Sequence, residues 1–322
     1  MFRWNKLGKV FDPSLVTGRS WLKEFAQAPS AIVHDDFVRI YFSCRPVADA
    51  AGQYVSYSAY VDLDRADLTL VRGVAEQPIL TLGGLGCFDE FGTYPVSVIR
   101  HGTGFRAYYG GWTRCESVPF NVAIGCAESD DGGKTFVRLG PGPVIGYSPD
   151  EPFVMSGPKI RRFRDVWYLF YIAGTKWKLV EGRPEPVYRI RMATSPDGVT
   201  WTKAGKDLIP PRIEADEAQA SPDVFFRDGR YHMFFCYRYS EGYRSHARGY
   251  RIGYASSDDL VQWQRNDALA GLEPGAEGWD AEMVSYPHVF EVDGQVYMAY
   301  LGNQVGRAGF GLARLRENQG AS

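Results

Sequence analysis

One segment pattern recurs five times along this chain. Each copy opens at or beside a proline, runs through an apolar strand to a short turn, and returns through a second strand, as in SPDVFFRDGRYHMFFCYRYS (221–240). The opening prolines lie 66, 63, 64 and 65 residues apart: Pro29, Pro95, Pro158, Pro222 and Pro287. A period of this length, filled with short strands, is typical of four-stranded blades. The sequence therefore predicts an all-β fold, a five-bladed β-propeller with four-stranded antiparallel blades.

The two ends of the chain are expected to complete one blade together. Blades are predicted to start near residues 28, 94, 157, 221 and 286, and the fifth copy ends early, after GFGLARL (309–315). The segment LGKVF (7–11), which precedes the first copy, is predicted to join that last blade and remove a free sheet edge. Because a single repeat cannot bury its own apolar face, residues 1–322 are expected to form one domain.

Composition favours a carbohydrate partner over nucleic acid or membrane. Aromatic residues make up 15% of the chain, with 20 Tyr and 8 Trp, and flat rings cover the apolar faces of sugars. The net charge is −2 without a basic run, so no nucleic acid is expected, and no long apolar segment predicts membrane insertion. The five cysteines are odd in number and lack CxxC spacing, which favours reduced thiols in a cytoplasmic protein. The oligomeric state stays open.

Acidic residues precede the prolines at a recurring distance. Glu24, Glu90, Glu217 and Glu282 each lie five residues upstream of a proline, and Glu151 lies slightly earlier in its repeat. In a blade, the start of the first strand and the end of the second lie on the same face, so these carboxylates are expected to converge there. The alternative is that they are solvated loop charges. The candidates for acid, base or nucleophile are Glu90, Glu151, Glu217 and Glu282, with Asp223 as a second choice.

Basic, aromatic and amide residues follow the second strands toward the same face, and further polar residues come directly after the prolines. They can pair with the acids, orient sugar hydroxyls or bind an anionic group. The predicted substrate-binding residues are Arg45, Trp112, Arg114, Lys159, Arg238, His288 and Asn303. The sequence has no GxSxG, GxxxxGK[ST] or HExxH motif, so no cofactor is expected. A structural cation in the central channel near His288 is left open.

The repeat resembles the five-bladed propeller glycoside hydrolases of the arabinanase, xylosidase, invertase and levansucrase type. Segments such as GCFDEFGTYP (86–95) and GWDAEMVSYPHVF (278–290) look more closely like poorly characterised propeller proteins of bacterial surface-glycan gene clusters. In the arabinanase-type families, an Asp stands directly before the proline of each of the first two blades, and a Glu stands two residues before that of the third. Here those positions hold Ala28, Tyr94 and Ser156, so that assignment of catalytic residues does not carry over.

Three functions remain in view from the sequence. The leading hypothesis is a glycoside hydrolase or related glycan-processing enzyme that uses paired carboxylates on an intracellular, possibly anionic, sugar. A glycoside phosphorylase is the related alternative, suggested by Lys159 and the arginines on the same face. The third is a non-catalytic propeller that binds a glycan or a protein. The sugar, the linkage and the stereochemical outcome are not determined by the sequence.

Overall fold

The computed structural model describes residues 1–316, and within them twenty β-strands form five four-stranded sheets. Blade 1 contains β2 (Glu24–Val33), β3 (Phe37–Arg45), β4 (Tyr57–Asp64) and β5 (Val71–Val74). Blade 2 contains β6 (Gly92–His101), β7 (Gly104–Thr113), β8 (Asn121–Ser129) and β9 (Val137–Arg138). Blade 3 contains β10 (Phe153–Phe163), β11 (Val166–Val180), β12 (Arg183–Ser195) and β13 (Thr202–Lys203). Blade 4 contains β14 (Ala218–Arg227), β15 (Arg230–Arg238), β16 (Arg251–Ser257) and β17 (Gln264–Arg265).

Blade 5 joins the two ends of the chain. It contains β18 (Ser285–Val292), β19 (Gln295–Leu301), β20 (Phe310–Leu315) and, as its outermost strand, β1 (Trp4–Phe11), which pairs antiparallel with β20. The predicted five-bladed propeller and its closure by the N-terminal strand are therefore confirmed. Helix is confined to 3-10 turns at Pro13–Leu15 and Asp267–Leu269 and a four-residue turn, Asn303–Gly306, within the described residues.

Every inner strand carries a β-bulge at its proline. The pairing of the first two strands shifts register at this point in all five blades. Proline lacks a backbone N–H, and a bulge is one of the few places where a sheet accepts it. A bulge also re-aims the neighbouring side chain. In blades 2 and 5 the residue before the proline is a tyrosine, and the hydroxyls of Tyr94 and Tyr286 lie 3.3 Å apart.

Just beyond the prolines, side chains bind the backbone of the next blade around the central channel. Four of them accept a backbone N–H, and Arg161 on blade 3 instead donates to the Val224 carbonyl at 2.6 Å. The four acceptor contacts are Ser30 from Val98 (3.4 Å), Ser97 from Ile160 (3.2 Å), Asp223 from Val289 (2.6 Å) and His288 from Ala31 (2.8 Å). These bonds link all five inner strands into a ring.

Three predicted site residues, Lys159, Asp223 and His288, lie in this channel and are at most 2% exposed. His288 Nε2 accepts from Ala31, so the neutral imidazole carries its proton on Nδ1, which lies 3.2 Å from Asp223. Lys159 donates to the Pro29 carbonyl at 3.0 Å, and its Nζ lies 3.4 Å from His288 Nδ1. The ammonium group therefore stands beside His288, where the sequence left a structural cation open.

Four blades also hold a buried carboxylate that ties the segment before the inner strand to a base near or on the outermost strand. Three of these acids accept a hydrogen bond from a tyrosine of the second strand, and all four are at most 4% exposed. The ion pairs are Asp89 with Arg138 (2.7 Å), Glu151 with Lys203 (2.7 Å), Glu217 with Arg265 (2.6 Å) and Asp280 with Lys6 (2.7 Å). Some of the acids that recur upstream of the prolines therefore recur because each forms such an ion pair within its blade.

The buried His288 and Asp223 of the channel are expected to make the fold less stable at acidic pH. Burial lowers the pKa of His288 to about 4, so the unfolded chain takes up this proton first as pH falls from about 6.5 to about 4. Burial alone raises the pKa of Asp223, but the charges of Arg161 and His288 outweigh burial and hold this pKa below its ordinary value. Below about pH 4 the unfolded chain therefore also takes up the Asp223 proton first, which lowers the stability of the fold further. In urea titrations, we expect the free energy of unfolding to be lower by up to about 3 kcal/mol near pH 4 than near pH 6.5 because of His288.

The matched variants are His288→Gln and His246→Gln, because His246 is an exposed loop residue. His288→Gln is expected to flatten the dependence between pH 6.5 and 4, whereas His246→Gln is expected to leave it as in the parent protein. An equal pH slope in the His288→Gln variant and the parent would show that this group does not carry the effect.

The buried ion pairs predict a stability loss when Glu151 is neutralised. Glu151→Gln leaves Lys203 without its carboxylate partner, and we expect a free energy of unfolding lower by about 2 kcal/mol. Glu90→Gln is the control, since the Glu90 side chain is partly exposed and bonds the Gly86 N–H at 3.0 Å, and we expect a change under about 0.5 kcal/mol. Equal stability of the two variants in denaturant titrations would contradict this account.

Candidate functional site

The face on which the inner strands begin is called the upper face here. An extended hairpin of blade 3 projects from it. The β11–β12 hairpin continues its pairing from Lys176 to Arg183, beyond Gly174, where β11 leaves β10. On one side of this hairpin, Trp177 packs against Phe120 of blade 2 with ring centroids 5.5 Å apart. On the other side, Glu185 binds the blade 4 loop. The hairpin therefore spans the gap between the loops of its two neighbours.

Four tyrosines from four blades form the floor of the upper face. Tyr188 and Tyr250 share a hydrogen bond of 2.6 Å, Tyr94 and Tyr286 approach to 3.3 Å, and the rings of Tyr250 and Tyr286 lie 6.0 Å apart. Burial raises the pKa of Tyr94, and it raises those of Tyr250 and Tyr286 well above the ordinary value. The hydroxyls of Tyr94, Tyr250 and Tyr286 therefore stay protonated, and a phenol hydroxyl can both donate and accept, as the hydroxyls of a sugar require. We call the set of four tyrosines the tyrosine floor.

Arg238, at the end of β15, contacts the tyrosine floor and is 2% exposed. Its Nε donates to Tyr250 at 3.1 Å, and its guanidinium lies 3.7 Å from the centroid of Tyr243. No carboxylate forms an ion pair with it among residues 1–316, so tyrosine rings and backbone carbonyls surround its charge. Sequence reasoning predicted Arg238 as a substrate-binding residue. In the structure its Nε donates to the hydroxyls of two floor tyrosines, Tyr250 and, at 3.4 Å, Tyr188.

Blades 1 and 2 line one side of the floor with arginines and aromatic rings. The Arg45 guanidinium lies 4.6 Å from the ring centroid of Phe25, 5.3 Å from that of Tyr54 and 5.9 Å from that of Tyr94. Arg114 lies 4.2 Å from the ring centroid of Phe91, which in turn packs at 6.0 Å from Trp112. The predicted residues Arg45, Trp112 and Arg114 are thus brought together on the upper face.

Two glutamates on this face each accept a hydrogen bond from a tyrosine. Glu24 accepts from Tyr54 at 3.0 Å and pairs with Arg307 at 2.7 Å. Burial by itself raises the pKa of Glu24, but hydrogen bonds from Arg307 and Tyr54 outweigh it and leave the pKa below its ordinary value. Glu24 is therefore ionised at neutral pH.

The second glutamate, Glu185, comes from the extended hairpin of blade 3. It accepts from Tyr243 at 3.0 Å and pairs with Arg244 at 3.0 Å. Sequence reasoning missed this residue because it lies on the second hairpin, outside the repeated segment. A series of neighbouring side chains runs across the floor between the two glutamates. Each contacts the next through a ring, a hydroxyl or, for Arg45, a guanidinium group, in the order Tyr54, Arg45, Tyr94, Tyr286, Tyr250 and Tyr243.

The structure distributes the five predicted carboxylates over three environments. Glu151 and Glu217 lie inside blades 3 and 4, and Asp223 lies in the channel. Glu90 is partly exposed and Glu282 is exposed, so these two reach solvent. Among residues 1–316, no hydrogen bond joins any two of the five. Asn303, predicted to bind substrate, accepts from the Glu282 N–H at 2.8 Å and donates to the Gly278 carbonyl at 3.0 Å, which fixes the loop at the rim.

The opposite end of the channel holds a cavity of about 590 Å³. Residues of all five inner strands line it, among them Ile32, Val98, Ile160, Phe225 and Val289. Glu291 is the one carboxylate of its lining, so the cavity does not offer the pair of acids that glycoside hydrolysis uses. Its Arg161 is already bonded to Asp223 and to Val224. The upper face is therefore the better candidate site.

Within residues 1–316, no group of three or more His, Cys, Asp or Glu side chains is arranged to hold a metal ion. None of the described helices has the length and apolar character needed to cross a membrane.

Comparison with known proteins gives a sequence family and a fold. No protein-family model matches the chain. Two proteins of Mycobacterium tuberculosis, the uncharacterized protein Rv1502 (strain ATCC 25618 / H37Rv) and the uncharacterized protein MT1551 (strain CDC 1551 / Oshkosh), are each 34% identical over 313 residues. The match covers 97% of this chain and 99% of each relative.

Solved structures with the same architecture include carbohydrate-active proteins. A glycoside hydrolase matches with a TM-score of 0.75 at 16% identity, over 98% of this chain and 93% of that chain. The β-1,2-mannobiose phosphorylase from Listeria innocua matches with a TM-score of 0.69 at 12% identity, over 97% of this chain and 96% of that chain. At such identities the likeness establishes the fold. The chain therefore belongs to the protein family of Rv1502 and MT1551, and it has the five-bladed propeller fold found in glycoside hydrolases and glycoside phosphorylases.

Proposed function

We propose that this protein is a glycan-processing enzyme, in the first place a glycoside hydrolase, and that its site is the upper face around the tyrosine floor. The observation that carries the proposal is the presence of two glutamate–tyrosine pairs, Glu24 with Tyr54 and Glu185 with Tyr243, connected across that floor. The fold shared with glycoside hydrolases and phosphorylases supports the same conclusion. The aromatic lining suits the apolar faces of sugar rings.

The chemistry requires one carboxylate that acts as nucleophile or base and a second group that protonates the leaving oxygen. Glu24 is ionised and suits the first role. The second role requires a carboxyl about 5 to 10 Å from that of Glu24. The candidates are Glu185 and the two predicted carboxylates that reach solvent, Glu90 and Glu282. Glu151, Glu217 and Asp223 are already bound to buried or half-buried bases. We expect their replacement to lower stability before it lowers turnover.

The substrate is proposed to be an intracellular glycan. The five cysteines form no disulfide, which fits a reducing, cytoplasmic location. Arg45, Trp112 and Arg114 are proposed to contact the sugar, with Arg238 acting through the floor hydroxyls. Lys159 and His288 are proposed to support the floor from the channel, and Asn303 from the rim.

A non-catalytic glycan-binding propeller is the second candidate. The observation in its favour is the absence of acids at three positions where the arabinanase-type families carry them, which here hold Ala28, Tyr94 and Ser156. Tyr94 belongs to the tyrosine floor, so this position offers hydrogen bonds to a ligand in place of acid chemistry. Turnover distinguishes the two functions.

We expect Glu24→Gln and Glu185→Gln each to lower kcat about 100-fold or more on a glycoside that the parent protein cleaves, because each change removes a carboxylate placed at the floor. The assay is release of reducing sugar from a panel of neutral and acidic glycosides, followed by kinetics on the best one. Glu90→Gln and Glu282→Gln in the same assay test the predicted alternatives for the acid.

Glu241→Gln is the matched control, since Glu241 is exposed on the upper face and pairs with Lys178 at 2.5 Å but with no tyrosine. Its kcat is expected to stay within about twofold of the parent value. If the parent protein cleaves no glycoside of the panel while all variants bind the same glycan equally, the enzyme proposal is overturned in favour of the binding propeller.

A further inference from the structure

We infer that the side of the tyrosine floor formed by blades 1 and 2 is a binding site for an anionic group, in which Arg45 and Arg114 hold a carboxylate, phosphate or sulfate. The inference rests on the proposed function for its view that the group is carried by, or reacts with, a glycan. Two sources have this chemistry, an acidic sugar of the substrate and inorganic phosphate. Both are compared in the experiment below.

Arg45 forms no ion pair within residues 1–316, although Glu24 is its cross-strand neighbour. Its Nε is buried and finds no hydrogen-bond partner. Three aromatic rings surround the guanidinium group instead, with the Phe25 centroid at 4.6 Å. Rings reduce the water around a guanidinium and add some attraction, but they do not accept its in-plane N–H groups. A buried donor without a partner costs free energy, which an oxyanion would recover.

Arg114 reaches the same place from the neighbouring blade. Its guanidinium lies over Phe91, and its one hydrogen bond to the protein goes to the backbone carbonyl of Tyr54 at 3.0 Å. It too forms no ion pair within residues 1–316. Because this bond is to the residue whose ring lies 5.3 Å from the Arg45 guanidinium, the two side chains border one small region.

Hydroxyls without partners stand at the base of that region. Cys44 pairs with Tyr57 at the end of the blade 1 sheet, so Arg45 follows next to Ser56. Ser56 in turn bonds through its backbone to Phe91 and Thr93 of blade 2. The side-chain oxygens of both Ser56 and Thr93 are buried and without a hydrogen-bond partner. These two hydroxyls and the Arg45 Nε are thus unpaired polar groups of neighbouring segments in blades 1 and 2.

Most other cations of the upper face are ion-paired; Arg238, which also lacks a carboxylate partner among residues 1–316, is only 2% exposed and lies among tyrosines. Glu24, the acid opposite Arg45 across the strand pair, is already engaged by Arg307 and Tyr54. Because neither Arg45 nor Arg114 forms an ion pair within residues 1–316, two positive charges here lack a bound carboxylate. On the blade 3 and blade 4 side the pairs are Lys176 with Asp216 (2.7 Å), Lys178 with Glu241 (2.5 Å), Arg244 with Glu185 (3.0 Å) and Arg248 with Glu214 (3.4 Å).

The test is calorimetric titration of the full-length protein at low ionic strength with sodium glucuronate, inorganic phosphate and, as the neutral control, glucose. The variants are Arg45→Met and Arg114→Met, with Arg248→Met as the matched control. Arg248 also lies 4.2 Å from an aromatic ring centroid, that of Tyr239, but it is ion-paired. Thermal unfolding verifies that each variant is folded, and the half-buried Arg114 provides a readout if Arg45→Met does not fold.

We expect the parent protein to bind at least one anion, and Arg45→Met and Arg114→Met each to weaken that binding about tenfold or more. Arg248→Met should stay within about twofold of the parent. Tighter binding of glucuronate identifies an acidic sugar as the source. Tighter binding of phosphate, with glycoside turnover that requires phosphate, identifies the inorganic anion.

Absence of anion binding in the parent protein, or equal binding in the parent and both variants, would overturn the inference. These results are separable from those on the proposed function. Turnover that depends on Glu24 alongside anion binding that ignores Arg45 and Arg114 rejects the anion site alone. Anion binding that depends on the two arginines in a protein that turns over no glycoside rejects the enzyme proposal alone.

Discussion

The bulge at each proline is the constraint from which the upper face follows. It lets five prolines enter the innermost strands of a closed ring, and it turns the preceding side chain out of the regular alternation of the strand. In blades 2 and 5 that side chain is Tyr94 or Tyr286, and the two meet although blade 1 separates their blades. Directly below, the inter-blade hydrogen bonds of Ser30, Ser97, Asp223 and His288 hold the strands that carry them. A rigid ring thus supports the tyrosine floor.

Carboxylates inside the blades and carboxylates above the tyrosine floor have different surroundings. The buried acids Asp89, Glu151, Glu217 and Asp280 each meet a base of their own blade, and this fastens the blade edges. Above the floor, Glu24 and Glu185 each meet a tyrosine and a surface arginine, Arg307 or Arg244. An ion pair buried in a blade stabilises the fold, whereas a carboxylate whose arginine partner is exposed can exchange that partner for a ligand.

The fold could be predicted from the sequence because the features that determine it are repeated in every blade. Proline at a fixed period, alternation within the strands and the missing strand of blade 5 were each sufficient to place an element. The catalytic set was harder, since distance from a proline does not tell whether a carboxylate turns into the blade, as Glu217 does, or toward solvent, as Glu282 does. Glu185 was beyond such reasoning, because only the unusual length of the β11–β12 hairpin brings it to the site. Arg45 and Arg114 were placed on the right face by hairpin geometry alone.

The outermost strand of blade 5 has a consequence for how the ring is made. Trp4–Phe11 is synthesised before the other nineteen strands described, yet its partner β20 ends at Leu315, so all of these strands must leave the ribosome before β1 and β20 pair. Until then the early blades stand as an open arc with two unpaired sheet edges, a state prone to association with other chains. Closing so long a loop also carries an entropic cost that favours slow folding. The ring is therefore closed as a late event, by the strand that is synthesised before all other strands described.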